Sequence, residues 1–172
     1  TTRLSHSKSP VEVAMPQGER TLLPLPPFER HPERFVILPA IARRRHPLVE
    51  QRLLDLAAWA ESASVNRIEW GDRSLGIITC GMAYQYVREV FAGFSILKLG
   101  LVHPLPPRLI ADFAAQVERL LVVEELDPVI EEQVRAMGIA AVGKEIFSLC
   151  GEFTLSRVRQ DALTAGLPVG AA

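Results

Sequence analysis

The 172 residues are 48% hydrophobic and carry a formal net charge of −1. That is enough apolar material for one domain with an appended arm, and it gives no overall basic field to recruit nucleic acid. The two cysteines, Cys80 and Cys150, form no CxxC pair, which excludes an iron–sulfur or zinc box built on local spacing.

No apolar run approaches the roughly 20 residues of a membrane span, and no signal peptide is legible. With only two cysteines, the expectation is a cytoplasmic protein with neither a nucleic acid nor a membrane as partner. The chain opens on "TTRLSHSKSPVEV" and ends in "AGLPVGAA". Both ends read as cut, and the expectation is a piece of a longer polypeptide.

Up to about residue 70, prolines are dense: Pro10, Pro16, Pro24, Pro26, Pro27, Pro32, Pro39 and Pro47. Each removes a backbone donor and restricts the residue before it, so the stretch reads as an extended arm. Within it, "FVIL" at 35–38 is expected to pair as an edge strand or to sit in a groove. "ARRRH" at 42–46 reads as a solvated approach to a helix. That helix is expected to open at Pro47, with Val49, Leu53, Leu56, Ala57 and Ala60 on its apolar side.

From Leu75 the pattern changes. "LGIITC" is a short, almost continuously apolar run, as in a parallel strand covered on both faces. Gly81 turns the chain into a helix over "MAYQYVREVFA". A second strand is predicted at 94–101 and a helix after Pro106 and Pro107. A third strand spans 119–126. The next helix takes Asp127 as N-cap, Pro128 at its first position and Gly138 as its stop. A fourth, weaker strand is predicted at 139–144, and a last helix capped by Thr154. Four strand–helix alternations predict an α/β fold with a small, doubly wound, mostly parallel sheet and an extended Pro-rich N-terminal arm.

Ligands of open α/β sheets gather beyond the carboxyl ends of the strands. Those ends offer Thr79, Cys80, Gly81, His103, Glu124, Glu125 and Asp127 as candidates. The turn "TCGMAY" lacks the second and third glycines of a dinucleotide fingerprint, and no GxxxxGK[ST] occurs. "EELDP" invites a metal or acid/base reading. Against it, Asp127 is explained as a cap, and strand alternation would send Glu124 and Glu125 to opposite sides. His103, before Pro104, reads as a structural histidine. No catalytic residue and no metal site is legible, and any cofactor-binding residue stays open.

Three stretches carry a resemblance: "NRIEWGDRSLGIITCGMAYQYVREVF", "ILKLGLVHPLPPRLIADFAAQVERLLVVEELDPVIEEQVRAMGI" and "GKEIF…GEFTLSRVRQDAL". They resemble the alpha subunit of indolepyruvate ferredoxin oxidoreductases, and more broadly the thiamine-diphosphate-dependent 2-oxoacid:ferredoxin oxidoreductases. The resemblance implies that residues 1–14 end a pyrimidine-binding domain, 15–70 form a linker arm with one helix, and 71–172 form a transketolase C-terminal-like domain. It also implies a parent enzyme that oxidatively decarboxylates an aryl pyruvate to an acyl-CoA. That parent would use thiamine diphosphate, Mg, iron–sulfur clusters and coenzyme A, none of them held by this fragment.

The implied partners are the other domains of the same subunit, a beta subunit and ferredoxin, with a homo-oligomer left open. Arg3, Ser5 and His6 match the family's "TRxSHS" stretch, where packing is the expected role. The domain itself is expected to be structural and inactive alone. A stand-alone nucleotide or coenzyme A module, or a regulatory interaction domain, are the alternatives.

Overall fold

The computed structural model describes residues 10–13 and 24–170. The chain falls into two compact units, Thr1–Ile41 and Ala42–Ala172.

In the first unit, α1 (Pro32–Phe35) is a single turn with Pro32 at its start. The His31 carbonyl accepts from the amides of Arg34 and Phe35. The edge strand expected at 35–38 does not form. Pro32 presets the helical φ of a first turn, Phe35 is drawn into it, and residues 36–38 are exposed with no strand partner.

The next helix, α2 (Pro39–Ala60), is 22 residues long and starts eight residues before the expected Pro47, which lies inside it. Alanine and arginine at 40–45 are strong helix formers. Pro39 suits the first helical position, and the one hydrogen bond that Pro47 removes does not end the run. Proline density therefore overstated how far helices are forbidden here.

The second unit is built on a four-stranded sheet: β1 (Arg67–Glu69), β2 (Asp72–Cys80), β3 (Phe94–Leu99) and β4 (Leu120–Val123), in the order β1-β3-β2-β4. β2 runs parallel to both β3 and β4, while β1 is antiparallel to β3, with Ile68 opposite Leu97. The antiparallel edge strand has no counterpart in the sequence reading, because three residues are too few to show a period. The strand expected at 139–144 shrinks to one bridge, Leu121 with Val142. Beyond Val142, Lys144 gives its amide to the Glu131 carboxylate instead of to a strand.

Between the strands come α3 (Ala83–Val90) and α4 (Pro107–Ala114), and after β4 follow α5 (Val129–Ala136) and α6 (Leu155–Thr164). α3 and α6 cover one face of the sheet around Ile77, Val87, Phe91, Phe147 and Val158. α4 and α5 cover the other around Ile78, Leu97, Ile110, Phe113 and Val134. Adjacent residues such as Ile77 and Ile78 thus feed opposite cores, which is why β2 is apolar without alternation. The fold is the expected doubly wound α/β sheet. Each of these large side chains contributes about 1.5–3 kcal/mol by leaving water.

Thr154 caps α6 as expected, its hydroxyl accepting from the Arg157 amide at 3.2 Å. Gly138 stops α5 at φ 79°. Gly76 has a steric reason to lack a side chain: a Cβ there would lie 2.7 Å from Val117 Cγ2.

Candidate functional site

The ends of β2 and β4 open on a crevice of about 320 Å³. Cys80, Gly81 and Met82 form one wall, residues 124–127 form the other, and Val102, Val129 and Ile130 close it. Of the candidates read from sequence, the structure brings together Cys80, Gly81, Glu124, Glu125 and Asp127. Thr79 is fully buried, and its hydroxyl donates to the Val123 carbonyl at 2.8 Å, tying β2 to β4. His103 is exposed and joined to Pro104 by a cis peptide, and it does not line the crevice. Arg3, Ser5 and His6 lie outside the described residues.

Glu124 is 4% exposed, and its carboxylate accepts from the amides of Ile130 and Glu131, each at 2.9 Å. It therefore caps α5 from the strand side. The cap expected of Asp127 is a different arrangement: the residue is exposed, and its carbonyl accepts from the Val129 amide at 2.8 Å. Pro128 directly before the helix puts the donors that need a cap at Ile130 and Glu131, within reach of the buried Glu124. Strand alternation does not separate Glu124 from Glu125, because β4 ends at Val123 and both residues line the crevice.

Behind this wall is a polar cluster with no sequence signature. Lys144 Nζ donates to the Glu124 carbonyl. Glu131, 3% exposed, accepts from the Lys144 amide at 2.8 Å and pairs with Arg135 at 3.0 Å. Arg135 continues to Glu145 at 2.8 Å and to the Ala141 carbonyl at 3.0 Å. Gly143 passes so close that a Cβ would lie 2.4 Å from Glu131 Oε2. The cluster fastens the 139–147 segment to α5. Its members are far apart in sequence and mixed in charge, so only the fold assembles them.

The electrostatics follow from burial. Glu124 is held above its ordinary carboxylate value, first by burial, against the opposing pull of its two amide donors and of Lys144. Burial lowers Lys144, and the surrounding carboxylates Glu124, Glu131, Asp127 and Glu125 counter it. The Cys80 thiol is pushed up to about 11 by burial and then by Glu124 and Glu125. At neutral pH it is a protonated thiol, not a nucleophile.

This crevice does not suit a diphosphate cofactor. The first turn of α3 has no side-chain cap and Gly81 sits at φ 53°, which alone would favour an anion. The facing wall carries three carboxylates against one lysine, which repels it. The carboxylates do not suit magnesium either, since Glu124 and Glu131 spend their oxygens on buried amides. Among the described residues no three His, Cys, Asp or Glu side chains converge as metal ligands, and no helix is long and apolar enough to cross a membrane.

The class the fold defines is an α/β domain on a small, mostly parallel, doubly wound sheet, and it has a counterpart among solved structures. A solved structure of 2-oxoglutarate:ferredoxin oxidoreductase from Magnetococcus marinus superposes on 74% of this chain with a TM-score of 0.53 and 20% identity, over 23% of its own chain. No protein-family model matches. The indolepyruvate oxidoreductase subunit IorA of Archaeoglobus fulgidus is 41% identical over 146 residues, 82% of this chain and 23% of that protein. The IorA subunit of Thermococcus kodakarensis is 35% identical over 171 residues, 91% of this chain and 26% of its own length. The chain belongs to the family of indolepyruvate oxidoreductase IorA subunits, and it spans about a quarter of the length of those relatives.

Proposed function

We propose that the chain works as part of the alpha subunit of an indolepyruvate:ferredoxin oxidoreductase. The whole enzyme oxidatively decarboxylates an aryl pyruvate to an acyl-CoA. Thiamine diphosphate supplies the carbanion chemistry, and it, magnesium and the iron–sulfur clusters belong to parts of the complex outside these 172 residues. The division into 1–14, 15–70 and 71–172 goes with this reading. The domain is structural: it positions the catalytic domains of its own subunit and the contacts to a beta subunit. Ferredoxin is the electron acceptor and the cytoplasm the compartment.

The observation that carries the reading is identity of 41% over 82% of the chain with an IorA subunit of which the match covers 23%. The internally committed polar groups at and behind the crevice wall support the structural role: Thr79, Glu124, Glu131 and Lys144 all bind the protein itself.

Calorimetric titration with thiamine diphosphate plus magnesium, and separately with coenzyme A, tests it. The neighbour from Magnetococcus marinus is described with coenzyme A bound, so the second arm is a real contest for the crevice. The expected result is no saturable heat from either ligand. Micromolar binding of thiamine diphosphate would overturn the view that its site lies elsewhere, and micromolar coenzyme A binding would turn the domain from scaffold into ligand module.

A further inference from the structure

β1 (Arg67–Glu69) forms one edge of the sheet. β3 pairs with it on one side, and among the described residues no strand pairs with its other side. The outward amides and carbonyls of such a strand are a template for one more strand. Both signs of charge stand on this edge. The Arg67 guanidinium lies 2.9 Å from the Glu69 carboxylate and donates to the Tyr84 hydroxyl, which in turn donates to Glu69 at 2.5 Å. Arg88 comes within 3.7 Å of the same carboxylate.

Strand alternation sorts the side chains between the two faces of the sheet. Arg67 and Glu69 lie on the α3 side, with Tyr84 and Arg88. Ile68 lies on the other side, partly buried against the core around α4 and α5. Trp70 follows it there, its ring 5.4 Å from that of Phe113 in α4, and is 44% exposed. The edge therefore presents a charged row on one face and an apolar row on the other.

We propose that β1 is a self-association edge, on which β1 of a second copy of the chain pairs antiparallel about a two-fold axis through Ile68. The two four-stranded sheets then become one continuous sheet. Charge selects both the sense and the register, because residues directly opposite in an antiparallel pair share a face. With Ile68 opposite the partner's Ile68, Arg67 faces the partner's Glu69 and Glu69 faces the partner's Arg67. Centring the pair on residue 67 or 69 instead sets arginine on arginine or glutamate on glutamate, and a parallel pair in register does both. On the apolar face the two Ile68 side chains meet at the axis. Trp70 reaches the partner's Ile68 along the diagonal, which covers the exposed indole. The contact is isologous, as a two-fold dimer requires. A strand of three residues buries well below the roughly 800 Å² per partner of a standard interface, so the dimer is weak and dissociates at high micromolar concentration. This inference stands apart from the proposed function.

Sedimentation velocity of the 172-residue chain, from low micromolar to near-millimolar concentration, reads the monomer–dimer equilibrium. In a Trp59→Phe background, which leaves Trp70 as the sole indole, emission reads burial of the apolar row. The expected result is a concentration-dependent dimer whose formation shifts Trp70 emission to shorter wavelength. Arg67→Glu and Glu69→Arg, each alone, set like charges opposite one another and should weaken the dimer at least about tenfold. Mixed in equal amounts, one variant supplies an all-acidic row and the other an all-basic row, and a heterodimer should recover the lost affinity. A purely intramolecular role for these two side chains would give no recovery on mixing. Circular dichroism shows whether each variant is folded. In the unsubstituted chain, amide exchange within 67–69 should slow as concentration rises, a readout that needs no variant. A monomer at every concentration overturns the proposal, as does a dimer indifferent to both variants or a mixture that recovers nothing. Protection of the β1 amides that arises only within a full-length IorA subunit overturns it too, because the edge would then be an interdomain contact.

Discussion

Replacing Glu124 with alanine separates a buried cap from a catalytic candidate. The carboxylate accepts two amide hydrogen bonds at 2.9 Å at the start of α5 and is 4% exposed. Hydrogen bonds to a charged group contribute about 1.5–3 kcal/mol each, and losing a helix cap costs about 1 kcal/mol by itself. Two effects reduce the total. The buried charge no longer has to be desolvated, and water entering through the crevice can reach the freed Ile130 and Glu131 amides. The expected loss is about 2–4 kcal/mol, read as a lower urea midpoint at unchanged slope. Hydrogen exchange gives a local check: the Ile130 and Glu131 amides should lose protection while those of β2 and β3 fall only with global stability. A loss below about 1 kcal/mol, with those two amides still protected, would refute the capping argument.

Three further outcomes follow from the same geometry. Glu124→Gln removes the titration and keeps an acceptor. Because the folded-state value is raised, the acid favours the folded state below the ordinary carboxylate value of 4.5 and loses that contribution as pH rises through the folded value. The stability of Glu124→Gln relative to the unsubstituted chain should therefore climb as pH rises from about 4.5, and a fall in urea titrations over that range would contradict the sign. Gly143→Ala drives a Cβ to 2.4 Å from Glu131 Oε2 and should cost about 2–4 kcal/mol. Gly81→Ala meets no atom and should cost only about 1 kcal/mol for its positive φ; equal thermal shifts for the two would remove the steric explanation. With a thiol reagent at neutral pH, exposed Cys150 should react much faster than Cys80, whose thiol is pushed up to about 11. Comparable rates would show that the crevice wall opens.

The core of the domain was legible because its signals are local. "LGIITC" is apolar at every step, and that happens only where both faces of a strand are covered, so β2 and its two helix layers could be read from six residues. Thr154 and Gly138 act within one turn of chain, and both do in the fold what their chemistry suggests. Proline misled in the arm: the single donor lost at Pro47 counted for less than the helix-forming run around it, so α2 begins at Pro39. Likewise β1 is a strand only because β3 offers it an edge.

The crevice divides the same way. The sequence by itself determined that Cys80, Gly81 and the acidic run at 124–127 stand at strand ends, since strand ends are set by where apolar runs stop. What those groups do was decided by tertiary structure. Asp127 loses the cap to Glu124 because distance in space, not position in the chain, chooses the acceptor for an amide. Lys144, Glu131 and Gly143 come together across a turn and a helix, where no spacing rule reaches. The physical reason is one of range: hydrophobic patterning and caps act over a few residues, while a buried charge is settled by whatever the completed fold brings within 3 Å of it.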